Sequence, residues 1–178
     1  MKELLNIEIK ARCADPSAVR TILLNLQADF RGTDEQTDTY FRVANGRLKL
    51  REGNIENNLI FYERADKAGP KSSRFRLVKV EDREGLRLAL AEACGVKVTV
   101  VKKREIYYIG NVKFHIDEVP GLGHFVEIEA GNKEAPEKDA AALQAQCASY
   151  IKQLGIREED FLTRSYSDML MEKQGVSG

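Results

Sequence analysis

The chain has 178 residues, enough for one domain with a substantial core. Charged residues make up 31% of it, and 28 basic side chains are matched by 28 acidic ones. That balance argues against a general nucleic-acid or membrane-surface binder, which would carry a basic excess, while leaving room for a local basic site.

In chain order, a strand is expected over residues 4–13. Asp15-Pro16-Ser17 then reads as a helix start, with Asp15 as N-cap and Pro16 in the first turn. The helix is expected to run to about residue 29, with Val19, Ile22, Leu23 and Leu26 on its apolar face. Four strands follow, at 35–43, 47–52, 58–64 and 73–80. Asn45-Gly46 signals a two-residue hairpin between the first pair. Residues 65–71, with Gly69-Pro70, read as a loop. A helix fits 82–94, closed by Gly95. Three more strands fit 96–108, 112–119 and 123–129, with turns at Gly110-Asn111 and Pro120-Gly121. A helix at 137–154, closed by Gly155, precedes a tail at 157–173 that ends in a short helix. Strands joined by hairpins imply antiparallel pairing, and so many of them can close into a barrel, which removes the sheet edges.

No internal repeat or low-complexity stretch interrupts this order, and no apolar run is long enough to span a bilayer. The first residues lack the apolar stretch of a signal peptide, so a cytoplasmic location is the expectation. Cys13, Cys94 and Cys147 are odd in number, without a CxxC or a histidine at zinc spacing. They read as ordinary buried or half-buried thiols.

The strands themselves carry the strongest signal. Asn6-Ile7-Glu8-Ile9-Lys10, Arg47-Leu48-Lys49-Leu50-Arg51 and Phe125-Val126-Glu127-Ile128-Glu129 each alternate apolar with polar or charged residues. Residues two apart in a strand share a face, so each segment has one apolar and one charged side. If the charged sides face one another across a closed sheet, they form a polar tunnel. Cations there could hold phosphate oxygens, and carboxylates a divalent ion bridging them. Glu127 and Glu129 share a face, with Asp117 on the preceding strand. Lys102 and Arg104 share a face, as do Arg47, Lys49 and Arg51; Lys10, Arg64 and Arg74 also sit on strand segments. Spacing alone leaves the bland alternatives open: a solvated acidic strand face, and Lys and Arg shielding the outside of a sheet. His115 fits the same face as Asp117, but neither it nor His124 has a Ser or Cys partner in the sequence. Phe41, Tyr107 and Tyr108 read first as packing residues.

In this order the segments resemble the CYTH domain, the triphosphate-tunnel fold shared by class IV adenylate cyclases and thiamine triphosphatases. The resemblance rests on Asn6-Ile7-Glu8-Ile9-Lys10, Gln36-Thr37-Asp38-Thr39-Tyr40-Phe41, Arg47 to Arg51, Tyr62-Glu63-Arg64, Lys102-Lys103-Arg104, Asp117-Glu118-Val119-x-Gly121-Leu122-Gly123 and Glu127-Ile128-Glu129. The tail Ser165-Tyr166-Ser167-Asp168-Met169-Leu170 is closest to the class IV cyclase branch. One departure stands out. The family opens with Glu-x-Glu-x-Lys, and Asn6 replaces the first Glu; it keeps a carbonyl oxygen for a hard cation but brings no charge.

The resemblance implies an α+β fold over 1–178, an eight-stranded antiparallel β-barrel with flanking helices. It implies an enzyme dependent on Mg²⁺ or Mn²⁺ that acts on a nucleoside or organic triphosphate, converting ATP to cyclic AMP and pyrophosphate in the cyclase branch. A triphosphatase and a non-catalytic polyphosphate-binding module are the alternatives. Lys10, Lys102 and Arg104 are the implied catalytic residues. Lys49, Arg51, Arg47, Arg64 and Arg74 are read as substrate-binding, and Glu8, Asp117, Glu127 and Glu129 as metal ligands. The expected partner is the triphosphate substrate, with no nucleic acid and no membrane; the cyclase branch makes a homodimer plausible.

Overall fold

The computed structural model describes residues 5–64 and 71–175; at 64 and 71–74 it describes the backbone alone. The expected loop at 65–71 thus falls almost wholly outside the described residues. The order is β1 (Asn6–Arg12), α1 (Pro16–Asn25), β2 (Asp29–Phe41), β3 (Arg47–Glu52), β4 (Asn58–Arg64), β5 (Lys71–Lys79), α2 (Arg83–Cys94), β6 (Val96–Ile109), β7 (Val112–Val119), β8 (Gly123–Gly131), α3 (Ala140–Gln153) and α4 (Tyr166–Lys173), with a 3-10 turn at Glu158–Asp160.

The strands close as an antiparallel barrel in the order β1-β5-β4-β3-β2-β6-β7-β8. Alternation along β1 shows how the barrel is built. Ile7, Ile9 and Ala11 are buried on its outer side. Asn6, Glu8 and Lys10 point into a central cavity. The same holds for β7 and β8, whose Phe114, Ile116, Val126 and Ile128 join Leu23 of α1 and Leu143 of α3 in one apolar cluster. The main core therefore lies outside the barrel wall, under α1 and α3, and leaves the interior to polar groups. A second cluster, of Tyr40, Val98, Val100, Phe125, Tyr166 and Met171, fixes the C-terminal segment against the barrel. By contrast α2 contributes no buried residue.

Capping follows the sequence closely. Asp15, Asp82, Asp139 and Ser165 each accept a backbone N–H of their helix's first turn. Ser165 and Asp168 complete a reciprocal capping box.

Several boundaries differ from expectation, three of them with a visible cause. The first helix stops at Asn25, because Gln27 takes a left-handed φ of 58° and Ala28 N–H returns to the Leu23 carbonyl. That turn lets β2 start at Asp29 and pair early with the end of β6, from Asp29–Tyr108 onward. Between β2 and β3 the chain makes a longer loop than the two-residue hairpin Asn45-Gly46 predicts. Arg42 N–H bonds to the Gly95 carbonyl, which ends β2 at Phe41. Gly46 still supplies a positive φ of 63° there, against the Phe61 ring. Last, α3 begins at Ala140, where Asp139 caps it, rather than at 137.

Candidate functional site inside the barrel

Strand register brings the inward charges into rows. Across β1, β8 and β7, Lys10 pairs with Glu127, which pairs with His115; one step along, Glu8 pairs with Glu129, which pairs with Lys113. From β3 and β6 come Lys49, Arg51, Lys102 and Arg104. These surround a cavity of about 200 Å³ with a different opposite wall, where Ile60 and Tyr62 of β4 and Phe75 and Leu77 of β5 line it. One flank is densely ionic and the other largely apolar.

Three cations converge on one carboxylate. The Asp38 side chain is 1% exposed and accepts from Arg51 Nε and Nη2, each at 2.9 Å, from Lys102 Nζ at 3.0 Å and from Lys49 Nζ at 3.1 Å. Burial alone would raise the Asp38 carboxyl; Arg51, Lys102 and Lys49 overcome it and hold the group well below the usual range. Lys102 shows the reverse balance. Burial and the neighbouring Arg104 push its ammonium well below the ordinary lysine range, with Asp38 offsetting only in part. The three cations are thus already gathered around one buried acid.

Arg104 organises the acids. It donates Nε to Asp117 Oδ1 at 2.7 Å and Nη2 to Asp117 Oδ2 at 2.6 Å, and Nη2 reaches Glu127 Oε2 at 2.7 Å. The Tyr166 hydroxyl also donates to Asp117 Oδ2 at 2.7 Å. Asp117 is fully buried and engaged on both oxygens. Glu127 is shared by Arg104, by Lys10 at 3.6 Å and by His115 Nδ1 at 3.2 Å. Its carboxyl is held well below the usual range despite burial, chiefly by Lys10 and Arg104.

His115 is pushed down to about 3 by burial and by Arg104, so it is neutral at neutral pH. The tautomer that donates Nδ1–H to Glu127 leaves Nε2 as an acceptor, and that atom is buried with no hydrogen-bond partner among the described residues. Glu129 is raised to about 7 by burial and by the charge of Glu127, with a quarter of its side chain still meeting solvent to temper the burial. Ligand atoms of His115, Glu127 and Glu129 lie within 4.8 Å of one another. With Glu8 paired to Glu129, this is a mainly oxygen donor set with one imidazole, suited to Mn²⁺ or Mg²⁺.

Of the residues singled out from the sequence, Lys10, Lys49, Arg51, Lys102, Arg104, Glu8, Glu127 and Glu129 line one cavity. Asp117 lies directly behind them, tied to Arg104. Arg47 goes elsewhere: Nη1 donates to Ser165 Oγ at 2.8 Å and Nη2 meets Asp168 at 3.1 Å, so it fastens the C-terminal segment. The side chains of Arg64 and Arg74 lie outside the described residues. Sequence reading missed Asp38, Glu56 and Lys113, all in the charged network. For Lys113 a signal existed, since it shares a strand face with His115 and Asp117.

Comparison with known proteins bears on the family and the fold. The family model described as the CYTH domain matches residues 4–166. A protein of Methanocaldococcus jannaschii named a putative adenylate cyclase is 27% identical over 180 residues, covering 93% of this chain and 98% of its own. A putative adenylate cyclase from Vibrio parahaemolyticus has the same fold at 18% identity, with a TM-score of 0.78 over 95% of this chain and 99% of its own. A Hippeastrum putative adenylyl cyclase with a dominant triphosphatase activity also shares the fold, at 17% identity and a TM-score of 0.60 over 97% of each chain.

Proposed function

The chain belongs to the CYTH domain family, and we propose that it binds a nucleoside or organic triphosphate in the barrel and acts on it with a divalent cation, in the manner of a class IV adenylate cyclase. The observation that carries this reading is the convergence of Lys49, Arg51 and Lys102 on Asp38, in the same cavity as the acidic group of Glu127 and Glu129. Phosphoryl transfer asks little covalent chemistry of a protein; it needs positioning and charge neutralisation. Lys10, Lys49, Lys102 and Arg51 would hold phosphate oxygens. Arg104 keeps Asp117 and Glu127 in place. Glu127, Glu129 and Glu8, with His115, would hold Mg²⁺ or Mn²⁺. When bound, that ion supplies Lewis-acid polarisation and charge neutralisation at the phosphate oxygens.

The test is a panel of ATP, other nucleoside triphosphates, thiamine triphosphate and inorganic tripolyphosphate, each with Mg²⁺ or Mn²⁺. Phosphate, pyrophosphate and cyclic nucleotide are read separately. Pyrophosphate and cyclic AMP in equal amounts from ATP are expected. Phosphate release alone would make the protein a triphosphatase, and tight binding without turnover a binding module.

A further inference from the structure

The cavity ends on a carboxylate that neither the clamp nor the metal group accounts for. The segment between β3 and β4 folds back over one end of the barrel. Asp34 holds it there by accepting Ile55 N–H at 2.8 Å and Glu56 N–H at 3.0 Å. Asn54 and Arg83 fasten its rim: the Asn54 carboxamide oxygen accepts Glu35 N–H at 2.6 Å, and Arg83 donates to the Gly53 carbonyl at 3.1 Å. Packing is tight enough that a Cβ at Gly53 would stand 2.5 Å from Asp34 Oδ1 and 2.8 Å from the Glu56 carbonyl.

This seat drives the Glu56 side chain inward. Its Oε2 accepts from Arg51 Nη1 at 2.9 Å and from Gln36 Nε2 at 3.1 Å, while Oε1 pairs with Lys113 Nζ. Glu56 thus occupies Arg51, the last cation of the β3 row, and Lys113 on the facing strand. At the other end Tyr166 is buried, with Lys10 Nζ 3.9 Å from its ring centre and its hydroxyl on Asp117. Along β7, Glu56 touches Lys113 and Tyr166 touches Asp117, four residues or about 13 Å apart at the usual strand rise.

We propose that Glu56 is an end stop that sets how far a phosphate chain enters the barrel, restricting the site to three phosphates. The inference rests on the triphosphate reading above. A chain advancing past Arg51 meets a fixed negative charge that already satisfies Arg51 Nη1 and Lys113, and like charges brought together there are costly. Removing the charge frees Arg51 Nη1 and Lys113 for one more phosphate.

The experiment is calorimetric titration of inorganic pyrophosphate, tripolyphosphate, tetrapolyphosphate and a pentamer, in Mg²⁺, into the wild type, Glu56→Gln and Glu56→Ala. Thermal melts check that each variant is folded; the isosteric Gln retains most of the local packing. In the wild type, affinity rises from two to three phosphates and then levels off. In either folded variant, tetrapolyphosphate gains about tenfold over tripolyphosphate. Affinity that keeps rising with length in the wild type, or a plateau still at three in both variants, overturns the end stop and leaves the triphosphate clamp standing. Failure of the wild type to bind tripolyphosphate or any triphosphate of the panel would overturn the clamp, and the end stop with it.

Discussion

Glu129 is held in a protonation state that metal binding must undo. Its carboxyl is raised to about 7, through burial and then the charge of Glu127, and a cation needs it ionised. Mn²⁺ affinity measured without nucleotide is therefore expected to climb as pH passes through 7, with proton release, and Glu129→Gln should flatten that climb. Flat wild-type affinity between pH 6 and 8 would remove Glu129 from the ligand set. The same shift has a stability signature. A carboxyl raised from 4.5 contributes stability that is full below 4.5 and lost as pH rises through about 7. His115, lowered from 6.5 to about 3, does the opposite: its contribution is full above 6.5 and lost as pH falls toward 3. In metal-free melts, Glu129→Gln should thus stabilise the protein at pH 8, by roughly 3 kcal/mol at most, and do little at pH 4.5. Asn6 makes a second test at this scale. It lines the cavity on the same face as Glu8 and opposite Gly131. Asn6→Glu should tighten Mn²⁺ binding about tenfold, roughly 1.4 kcal/mol, by adding a charge; equal affinities in a titration of both proteins would put residue 6 outside the coordination sphere.

Among the elements, β2 does the most to assemble the site, and it was the least legible. Its inward residues Asp34, Gln36 and Asp38 anchor the loop over the barrel end, orient Glu56 and gather three cations. Strands β3 and β7 were readable to the residue, because period-two alternation ends there on turn residues such as Gly110-Asn111. The start of β2 was not, since Asp29 to Asp34 carries no such alternation and becomes a strand by pairing with β6. Inward cations and acids were legible from their shared faces. The role of Asp38 was not, because it depends on β3 and β6 delivering Lys49, Arg51 and Lys102 to one point, which no local pattern records. Glu56 lies in a loop, where periodicity says nothing. The tight seat of that loop predicts that Gly53→Ala costs about 1–3 kcal/mol in chemical denaturation, through overpacking against Asp34 and the Glu56 backbone. An alanine variant as stable as the wild type would mean that the loop gives way easily, a poor backing for a fixed charge.

At the scale of the whole molecule, the barrel is turned inside out relative to one with an apolar lumen. Helices α1 and α3 and the C-terminal segment supply the hydrophobic burial on the outside, which frees the interior for charge. Such an interior survives because its buried charges are paired: Arg104 with Asp117 and Glu127, and Asp38 with its three cations. Tyr166 joins the two systems, since its ring packs on Phe125 with centres 4.8 Å apart while its hydroxyl reaches Asp117 inside. The two halves of that role separate by mutation. Tyr166→Phe keeps the ring and the cation–π contact with Lys10 but leaves one Asp117 oxygen with a single donor, so it should cost about 1–3 kcal/mol. Tyr166→Ala also opens a cavity beside Phe125 and should cost about 3–5 kcal/mol. Urea melts of both variants measure the difference. If the two cost the same, the ring contributes nothing beyond its hydroxyl, and the C-terminal segment is not what seals that end of the barrel.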